Sequence, residues 1–387
     1  MNEKLIENLS IVVFGEDYNR HPHALEHIIN LFIPRNKILW VETMGLRTPK
    51  FNAKDIKRSF QKLYGMLQGI SGKKKELSLH DNITVIAPFM LPFNRINIIR
   101  YLNKCSVVFK VKRYLKSSNT SGHIVITSVP NACDYVGELN EVLSVYFCVD
   151  ELSLWPGFDY ELVRDMENLL LEKVNLIIAT ADILAAKKKL ENMVTPVITH
   201  GVTFGHFNLP RRPINSQCTK ICYFGTFDER SDQEIIKYAA ENLPGFKFFI
   251  IGTIEVDVSQ LIHLENVFFL PKVAYVDLPE AIKDMDIFIL PYKLNEFTKN
   301  INPLKLKECM STGRPVICTP LPEIVKLGKY LYLAANGKEF TDFIQKINNG
   351  VINHEYDKVI QYIKQNETWE IKAKQFSRYI LNRLLDK

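Results

Sequence analysis

The stretch NPLKLKECMSTGRPVICTPLPEI, residues 302–324, carries polar side chains at the predicted start of a helix. Pro303 is favoured in a first helical turn, because proline lacks the N–H that would be left unpaired there. Asn302, just before it, is the expected cap. The backbone N–H groups of Leu304 and Lys305 then have no partner within the helix, and with the Lys305 ammonium they form a site for an anion.

Glu308 adds a carboxylate to this predicted anion site. It follows Lys305 by three residues, which places both side chains on one face of the helix. A carboxylate in this position can accept hydrogen bonds from both hydroxyls of a ribose, so the helix start fits a nucleoside diphosphate. The alternative interpretation is an ordinary capped helix with a surface Lys–Glu pair, which would contribute only a few tenths of a kcal/mol.

A second polar segment, KICYFGTFDER at residues 220–230, follows the pattern of a strand that ends in glycine. Gly225 would let a ligand approach the backbone closely. Arg230 can clamp a diphosphate with two parallel hydrogen bonds. The segment lacks the G-x-G-x-x-G pattern of dinucleotide-binding proteins. Its alternative interpretation is a strand–turn–helix junction with a surface arginine.

The elements that must position these side chains are apolar strands that alternate with helical patterns. Such strands are typical of parallel sheets covered on both faces, which bind ligands at the carboxyl ends of the strands. The predicted strands are 9–15, 37–43, 83–89, 123–129, 145–150, 176–181 and 196–201 in the first half, and 220–225, 246–252, 267–271, 287–292, 314–320 and 329–334 in the second. The sequence therefore predicts an α/β protein with two Rossmann-like domains, divided at the Pro- and Arg-rich segment 204–220.

Basic residues are concentrated between Leu46 and Lys116. This stretch has 16 Lys or Arg against three acids, a net charge of +13 in a chain whose net charge is +6. The bases alternate with Phe, Tyr, Leu and Ile, which predicts a surface that rests on anionic lipid headgroups. The residues expected there include Lys73, Lys74, Lys75, Lys112 and Arg113. A solvated helix face beside a basic loop is the alternative, and no nucleic-acid motif supports a nucleic-acid partner.

Composition and cysteine usage predict a cytosolic globular protein of two domains. The 387 residues are 47% hydrophobic, and no run reaches the roughly 18 apolar residues of a transmembrane helix. The acidic N-terminus does not resemble a signal peptide. The seven cysteines include no CxxC pair, which indicates reduced thiols. Cys218 and Cys222 would supply only half of a metal site, so no metal is predicted.

Segment 302–324, preceded by the Pro-Tyr pair that ends the strand 287–292, resembles the donor-binding segment of GT-B glycosyltransferases of bacterial surface-polysaccharide pathways. Their usual form is a Pro-Leu-Lys-Leu helix with a glutamate three residues after the lysine, followed by an A-x-G-x-P-V strand. KICYFGTFDER is similar to the first strand and phosphate loop of their C-terminal domain.

Three further segments resemble the N-terminal domain of these enzymes. VYFCVDELSLWPGFD, 145–159, is similar to their Asp-Asp segment, and FGEDYNRHPHALEHI, 14–28, to their N-terminal loop and first helix. TPVITHGVTFGHF, 195–207, is similar to the segment that closes the domain, with His200 where Asn is common. The resemblance covers most of the chain and is weakest over 46–120.

The resemblance implies the GT-B architecture, in which two Rossmann-like domains face each other across a cleft and the last helix crosses back to the N-terminal domain. The implied parts are an acceptor-binding domain over 1–205, a linker over 206–218, a nucleotide-sugar-binding domain over 219–365 and a C-terminal helix over 366–387.

The resemblance also implies roles for the donor-binding residues. Lys305 and Arg230 would neutralise the diphosphate leaving group, and Glu308 would hold the ribose. Tyr292 and Val273 would pack near the nucleobase. The complete predicted donor-binding set is Gly225, Arg230, Val273, Tyr292, Pro303, Leu304, Lys305 and Glu308.

The N-terminal domain would then supply the chemistry. Retaining members of this class often carry two glutamates with seven residues between them, but Asn300 stands at the first position here, which favours an inverting transfer. An inverting transfer needs a carboxylate to take the proton of the acceptor hydroxyl. Asp150 is the first candidate, with Glu151 beside it, and His21 is the histidine expected to border the acceptor or the sugar. The alternatives are a turn cap for Asp150 and a structural role for His21.

The predicted function is transfer of a sugar from a nucleotide diphosphate sugar, UDP- rather than GDP-linked, to a lipid-linked or cell-surface glycan acceptor. No cofactor or metal is expected, because basic side chains and helix N-termini can stabilise the leaving diphosphate. The predicted location is the cytoplasmic face of the inner membrane. Two alternatives remain open: a nucleotide-sugar epimerase of the same fold, and a catalytically inactive GT-B subunit that scaffolds an assembly.

Overall fold

The computed structural model of the protein describes residues 4–19, 23–43, 81–118, 122–189, 194–211, 219–352 and 354–386. The chain divides into two compact units, which are Met1–Thr199 together with Lys372–Lys387, and His200–Ile371. They are termed the N-terminal unit and the C-terminal unit below. The chain leaves the N-terminal unit after Thr199 and returns to it after Ile371.

The N-terminal unit is built on a parallel sheet of six strands. The strands are β1 Ser10–Gly15, β2 Lys37–Glu42, β3 Ile83–Ile86, β4 Ile124–Thr127, β5 Leu143–Cys148 and β6 Leu176–Ala179. Their order across the sheet is β3-β2-β1-β4-β5-β6. Every residue of β4, β5 and β6 is buried, as expected for a parallel sheet that lies between layers of helices.

Helices of the N-terminal unit pack their apolar faces on this sheet. They include α1 Ala24–Phe32, α2 Asn97–Ser117, α3 Tyr160–Leu171 and α4 Asp182–Lys187. Helix α3 shows why the sequence forms a helix there. Asp159 caps its start by accepting a hydrogen bond from the backbone N–H of Leu162, and Val163, Met166 and Leu170 form its buried stripe.

The C-terminal unit contains a second parallel sheet of six strands. The strands are β7 Lys220–Phe224, β8 Lys247–Ile251, β9 Val267–Leu270, β10 Ile287–Leu290, β11 Val316–Cys318 and β12 Tyr332–Leu333. Their order is β12-β11-β10-β7-β8-β9. If its strands are numbered from its own first strand, β7, this sheet has the same strand order as the sheet of the N-terminal unit.

Twelve of the thirteen predicted strands are present, and the α/β fold with two Rossmann-like sheets is confirmed. The exception is segment 196–201, which forms only one parallel bridge, between Val197 and Ala179. The chain turns away beyond this bridge, and Gly201 packs against the Trp369 ring so closely that a Cβ atom would lie 2.8 Å from it.

Helices of the C-terminal unit cover its sheet. They are α5 Phe204–Phe207, α6 Gln233–Asn242, α7 Ser259–Ile262, α8 Leu278–Ile282, α9 Leu304–Ser311, α10 Pro322–Val325, α11 Gly337–Asn348 and α12 Tyr356–Asn366. The last helix, α13 Trp369–Leu385, carries the chain back into the N-terminal unit. There the Phe376 ring lies 5.4 Å from the Phe147 ring, and the Ser377 hydroxyl accepts a hydrogen bond from the Ile6 N–H (3.1 Å).

In both sheets the strand order reverses beside the first strand, between β1 and β4 and between β7 and β10. The crevice outside the carboxyl ends of the strands at such a reversal is where open parallel sheets bind ligands. In the C-terminal unit this point lies where β7 ends at Phe224 and β10 ends at Leu290. The polar segments identified in the sequence follow these two strands.

Candidate functional site

Helix α9 begins one residue later than the sequence pattern predicts. Pro303 takes the cap position with extended backbone angles, Leu304 is the first helical residue, and no described side chain caps the helix. The prediction that Asn302 is the cap is therefore wrong. Its side-chain amide donates to Glu323 Oε2 (3.4 Å) instead. The first-turn N–H groups of α9 thus lack a side-chain cap, which is the arrangement that suits an anion.

Lys305 turns its ammonium towards the end of β7. Its Nζ donates to the Tyr223 hydroxyl (2.7 Å) and to the Thr226 carbonyl (3.0 Å). The ammonium also lies 4.6 Å from the centroid of the Tyr223 ring, a cation–π distance. The Tyr223 hydroxyl in turn donates to the Thr226 carbonyl (2.7 Å). The lysine charge is thus fixed at the point where the strand order reverses.

Gly225 makes room for this lysine. Its φ of +104° favours glycine, and a Cβ atom at this position would lie 2.3 Å from Cε of Lys305. Gly252 packs against it as well, because a Cβ atom there would lie 2.1 Å from the Gly225 carbonyl oxygen. The sequence pattern predicts that Gly225 admits a ligand, and the structure shows that it also admits the side chain of Lys305.

Arg230 is held by Asp228 in the turn that follows β7. Its Nε donates to Asp228 Oδ1 (2.9 Å) and its Nη2 to Oδ2 (2.5 Å). Burial alone would raise the pKa of Asp228, but the hydrogen bonds and charge of Arg230, with a contribution from Lys305, hold it below its ordinary value. The backbone N–H of Lys293 donates to the Arg230 carbonyl (2.8 Å), which ties this turn to the chain beyond β10. Arg230 and Lys305 therefore lie at the same strand reversal.

Glu308 is the acid of this group and is 8% exposed. Burial raises the pKa of its carboxyl from an ordinary 4.5 to about 7, although the charge of Lys305 acts in the opposite direction. No hydrogen bond from a described residue contributes to this pKa. A carboxylate that is buried without hydrogen bonds is costly unless a partner arrives, and two hydroxyl groups of a ligand would supply that partner.

Tyr275 lies beside Glu308, although it was not among the predicted site residues. Burial, followed by the charge of Glu308, raises the pKa of the Tyr275 hydroxyl to about 12. The residue is 47% exposed. His206, on α5, stacks on it with 4.5 Å between the ring centroids, and the His206 Nε2 lies 2.8 Å from the Tyr275 carbonyl oxygen. The sequence signal was an aromatic residue two positions after Val273, within a polar loop.

Tyr292 and Val273, predicted to pack near a nucleobase, have different environments. Tyr292 is 5% exposed and belongs to the core of the C-terminal unit. Its backbone N–H donates to the Thr319 hydroxyl (2.9 Å). The protein itself thus covers most of the Tyr292 side chain, and the contact of Tyr292 with a nucleobase stays a prediction. Val273 is only partly buried and packs against the same core. Tyr275 is far more exposed than Tyr292 and is therefore the more accessible of the two tyrosines.

Asp150 and Glu151 follow β5 and differ in their surroundings. Glu151 is buried, and its Oε1 accepts hydrogen bonds from the Lys188 ammonium (2.9 Å) and the Ser153 hydroxyl (2.9 Å). Lys188 also donates to Glu167 (2.6 Å), so these charged side chains form a buried network. Asp150 is only partly buried. The network therefore fixes the turn that presents Asp150, and Glu151 is used within the protein.

His21 lies outside the described residues, but its neighbours His23 and His27 are placed at the start of α1. Burial lowers the pKa of His23 to about 4, with a further contribution from His27, and burial also lowers the pKa of His27 to about 4. The His23 ring lies 5.9 Å from the Trp40 ring. Both imidazoles are therefore neutral at physiological pH and packed against their surroundings.

The predicted membrane residues are only partly described. Lys73, Lys74 and Lys75 lie outside the described residues, whereas Lys112 and Arg113 lie exposed near the end of α2. Among the helices of the described ranges, none combines the length and apolarity needed to cross a bilayer. The described residues also contain no group of three or more His, Cys, Asp or Glu side chains placed to hold a metal ion.

The raised pKa of Glu308 gives a prediction about stability. Between pH 4.5 and 7 the unfolded chain has lost this proton while the folded chain keeps it, so the free energy of unfolding falls as the pH rises through this range. We expect Glu308→Gln to remove the fall and to stabilise the protein by up to about 3 kcal/mol above pH 7. Denaturation midpoints of both proteins at several pH values check this, with the exposed Glu280→Gln as control. Equal midpoints for Glu308→Gln and the parent at pH 8 would contradict it.

The region of this chain that matches a known protein family contains the predicted donor-binding residues of this site. Residues 219–351 match the family described as glycosyl transferases group 1. A protein of Bacillus subtilis (strain 168) named as the teichuronic acid biosynthesis glycosyltransferase TuaH is 24% identical over 247 residues. The match covers 59% of this chain and 62% of TuaH, so this chain spans less than two thirds of the length of that relative.

Solved structures match nearly the whole chain. HepE of Anabaena, in complex with UDP and glucose, is 14% identical, with a TM-score of 0.63 and coverage of 96% of this chain and 99% of HepE. Sucrose-phosphate synthase from Thermosynechococcus elongatus is 12% identical, with a TM-score of 0.68 and coverage of 98% and 100%. A TarM variant of S. aureus, in complex with fondaparinux, alpha-GlcNAc-glycerol and UDP, is 12% identical, with a TM-score of 0.63 and coverage of 97% and 99%. At these identities the structures establish the fold, which is GT-B.

Proposed function

We propose that this chain, whose C-terminal unit contains a glycosyl transferases group 1 domain, is a glycosyltransferase that moves a sugar from a UDP-sugar to a lipid-linked or cell-surface glycan acceptor. The observation that carries the proposal is the position of Lys305, fixed by Tyr223 and Gly225 at the strand reversal of the second sheet. HepE and TarM, which share the fold, were each solved with UDP, and this favours UDP over GDP.

The donor would bind in the C-terminal unit through its diphosphate and its ribose. Lys305, Arg230 and the first-turn N–H groups of α9 would neutralise the diphosphate. Glu308 would accept hydrogen bonds from the ribose hydroxyls, which would offset the cost of its burial. Tyr275, on whose pKa the charge of this carboxylate acts, would offer its exposed side chain to the nucleobase alongside Tyr292 and Val273.

The transfer needs no metal ion in this proposal. As the bond between the anomeric carbon and the diphosphate breaks, negative charge grows on the departing diphosphate oxygen. Fixed cations and helix N–H groups stabilise that charge without having to reorganise during the reaction. Lys305 meets this requirement, because its two hydrogen bonds and its contact with the Tyr223 ring hold the ammonium in place.

Asp150 is the proposed general base. It would take the proton of the acceptor hydroxyl while the hydroxyl oxygen attacks the anomeric carbon from the face opposite the diphosphate, which leaves as UDP. This displacement inverts the anomeric configuration. His21 would border the acceptor or the sugar. Glu151 no longer shares the catalytic role, since Lys188 and Ser153 use its carboxylate.

The proposed acceptor is a glycan precursor at the cytoplasmic face of the inner membrane. The name of TuaH refers to teichuronic acid biosynthesis, and TarM was solved with alpha-GlcNAc-glycerol. Both support an acceptor of this kind. The basic stretch from Leu46 to Lys116 would bind anionic headgroups near such an acceptor. Of the bases named for this role, Lys112 and Arg113 are exposed in the described part of the chain.

A thermal-shift panel with UDP-, GDP-, dTDP- and ADP-sugars tests the donor assignment. A ligand raises the midpoint only if it binds the folded state more tightly than the unfolded one. We expect UDP-sugars at about a hundredfold excess over their Kd to raise the midpoint by roughly 2–4 °C, and the other sugars to raise it less. If no nucleotide sugar shifts the midpoint, the proposal is wrong.

The same samples separate the alternative functions. Turnover of the donor without an acceptor would indicate a nucleotide-sugar epimerase. Donor binding without transfer to any membrane-extracted glycan acceptor would indicate an inactive scaffold subunit.

A further inference from the structure

Helix α2 of the N-terminal unit has apolar side chains on two opposite faces. Asn103, Val107, Val111 and Leu115 are buried on the inner one. The outer face consists of Ile98, Tyr101, Leu102, Cys105 and Phe109, followed by Lys112, Arg113 and Lys116, all exposed. At 100° per residue these eight positions fall within about 120° of the helix circumference, opposite the buried residues. The outer face of α2 is therefore one continuous stripe, apolar first and basic at its end.

The apolar part of the outer face is strongly exposed. Ile98, Tyr101, Leu102 and Phe109 have relative exposures from 53% to 68%. Single exposed apolar residues are normal on a protein surface, but a row of large ones along one helix marks a binding surface. Phe93 and Ile96, just before the helix, are exposed too and extend the row.

The cations of α2 differ in their partners according to their position on the helix. Those outside the stripe have partners within the unit: Arg100 pairs with Asp134 (2.7 Å) and Lys104 with Glu138 (2.6 Å), and the Lys110 ammonium donates to the Ala87 carbonyl (3.0 Å). Arg95, just before the helix, pairs with Asp159 (2.7 Å). The three at the end of the stripe, Lys112, Arg113 and Lys116, form no ion pair with any residue that the structure describes.

The charge of this region selects an anionic partner. Between Asp81 and Asp134 the sequence has no acid and seven Lys or Arg. A partner that covers the stripe must offer an apolar interior to the first part and negative charge to the last. A bilayer surface with anionic headgroups offers both within a few ångströms, since acyl chains begin directly below the headgroups.

We propose that the outer face of α2 inserts into the interface of an anionic lipid bilayer, with Ile98, Tyr101, Leu102 and Phe109 among the upper acyl chains and the terminal cations at the headgroups. Helix α2 would lie flat in the interface, with its apolar side buried about 5–10 Å below the headgroup boundary. The inference deepens the membrane association in the proposed function, which involved headgroup charge alone. It does not depend on the sugar transfer.

The two modes of attachment differ in their response to salt. Headgroup attraction is screened at about 1 M salt, where the Debye length is about 3 Å, whereas insertion of apolar side chains is not. We therefore expect the protein to sediment with phosphatidylcholine–phosphatidylglycerol vesicles and to keep a substantial part of this binding at high salt. Lys112→Glu with Arg113→Glu should reduce binding mainly at low salt.

Substitution of the apolar residues tests insertion directly. Ile98→Ser, Leu102→Ser and Phe109→Ser together should lower the partition coefficient into these vesicles at high salt by roughly tenfold or more. The matched control replaces three similarly exposed residues, Ile262, Val276 and Val351, with serine and should partition like the parent. All substituted positions are exposed, so both variants should keep the thermal midpoint of the parent.

Cys105, at the centre of the stripe, allows a second measurement. It is exposed, whereas the other cysteines in the described residues are buried, so with Cys218→Ser a thiol-reactive NBD dye should label Cys105 selectively. We expect its emission to shift to shorter wavelength on vesicles and to be quenched by lipids that carry a spin label on the acyl chain. A dye at Ile262→Cys, in a protein with Cys105→Ser and Cys218→Ser, should show neither effect.

Three outcomes would overturn the proposal. The first is binding of the serine variant of α2 at high salt to the same extent as the parent, and the second is a dye at Cys105 that remains in water on vesicles. The third is concentration-dependent self-association of the parent that the serine variant abolishes, because a second copy of the chain would then cover the stripe. The UDP-sugar thermal shift, measured on each variant, reports the donor site separately, so failure of the insertion leaves the proposed enzymatic function standing.

Discussion

Replacing Lys305 with alanine is expected to lower kcat/KM for sugar transfer by about 10²–10³-fold, the loss typical of removing one fixed group that stabilises developing negative charge. The lysine lies in the first turn of α9, and its ammonium is oriented by Tyr223 and Thr226. Donor binding should weaken with it, and the UDP-sugar thermal shift should disappear. Steady-state kinetics with a labelled UDP-sugar, together with the thermal-shift panel, measure both effects.

The control for this variant is Lys299→Ala, which removes the same charge six residues earlier. Lys299 is exposed and pairs with the exposed Glu296 (2.8 Å), so the Lys299→Ala variant should transfer sugar at the parental rate. Gly225→Ala affects Lys305 through the backbone, because its Cβ would lie 2.3 Å from the lysine Cε. We expect it to lose activity as Lys305→Ala does. Transfer by Lys305→Ala within a few fold of the parent would remove the lysine from the mechanism.

The fold was predictable because its strands are buried on both faces. Strands such as Leu143–Cys148 and Ile287–Leu290 are runs of apolar residues with no polar alternation, and this pattern is specific to covered parallel sheets. The short β-branched run at 196–201 predicts a strand, and this prediction is wrong, because the structure gives the segment a single bridge to Ala179. Whether a segment pairs as a strand depends on the path of the chain beyond it, and the local sequence does not determine that path.

The helix start at Lys305 and Glu308 was predictable from spacing, but the partners of these residues were not. Two side chains three residues apart share a helix face, and the charge of Lys305 does act on the Glu308 carboxyl. Tyr223 belongs to a predicted strand, and nothing in the sequence shows that its hydroxyl contacts a lysine 82 positions later. The pairing of Arg230 with Asp228 depends on the turn geometry, which the sequence leaves open.

Asp150 and Glu151 show the same limit at the end of a strand. Successive side chains along an extended chain point to opposite sides, so one of two neighbouring acids faces the interior, and the sequence does not say which. In the structure it is Glu151, whose carboxylate accepts hydrogen bonds from Lys188 and Ser153. Glu151 is thus the acid that serves the interior of the protein, and the catalytic role of either acid stays a prediction.

Replacing Asp150 with asparagine should lower kcat by about 10²–10⁴-fold, the usual contribution of a general base. Asparagine keeps the size of the side chain but cannot take the acceptor proton. The UDP-sugar thermal shift should survive, because the proposed donor residues all belong to the other unit, His200–Ile371. Kinetics with saturating donor measure the loss, and the anomeric configuration of the product, read by NMR, should be opposite to that of the donor.

Glu151→Gln is the matched control, since it neutralises the adjacent acid. It would remove one charged partner from Lys188, which keeps Glu167 (2.6 Å), so we expect a loss of stability of about 1–3 kcal/mol and parental transfer per folded molecule. The two variants thus separate catalysis from folding. Asp150→Asn should lower the transfer rate and leave the thermal midpoint unchanged, whereas Glu151→Gln should lower the thermal midpoint and leave the transfer rate per folded molecule unchanged. If Asp150→Asn transfers sugar like the parent, or if only Glu151→Gln stops transfer, the base is not Asp150, and the proton of the acceptor must leave through another group.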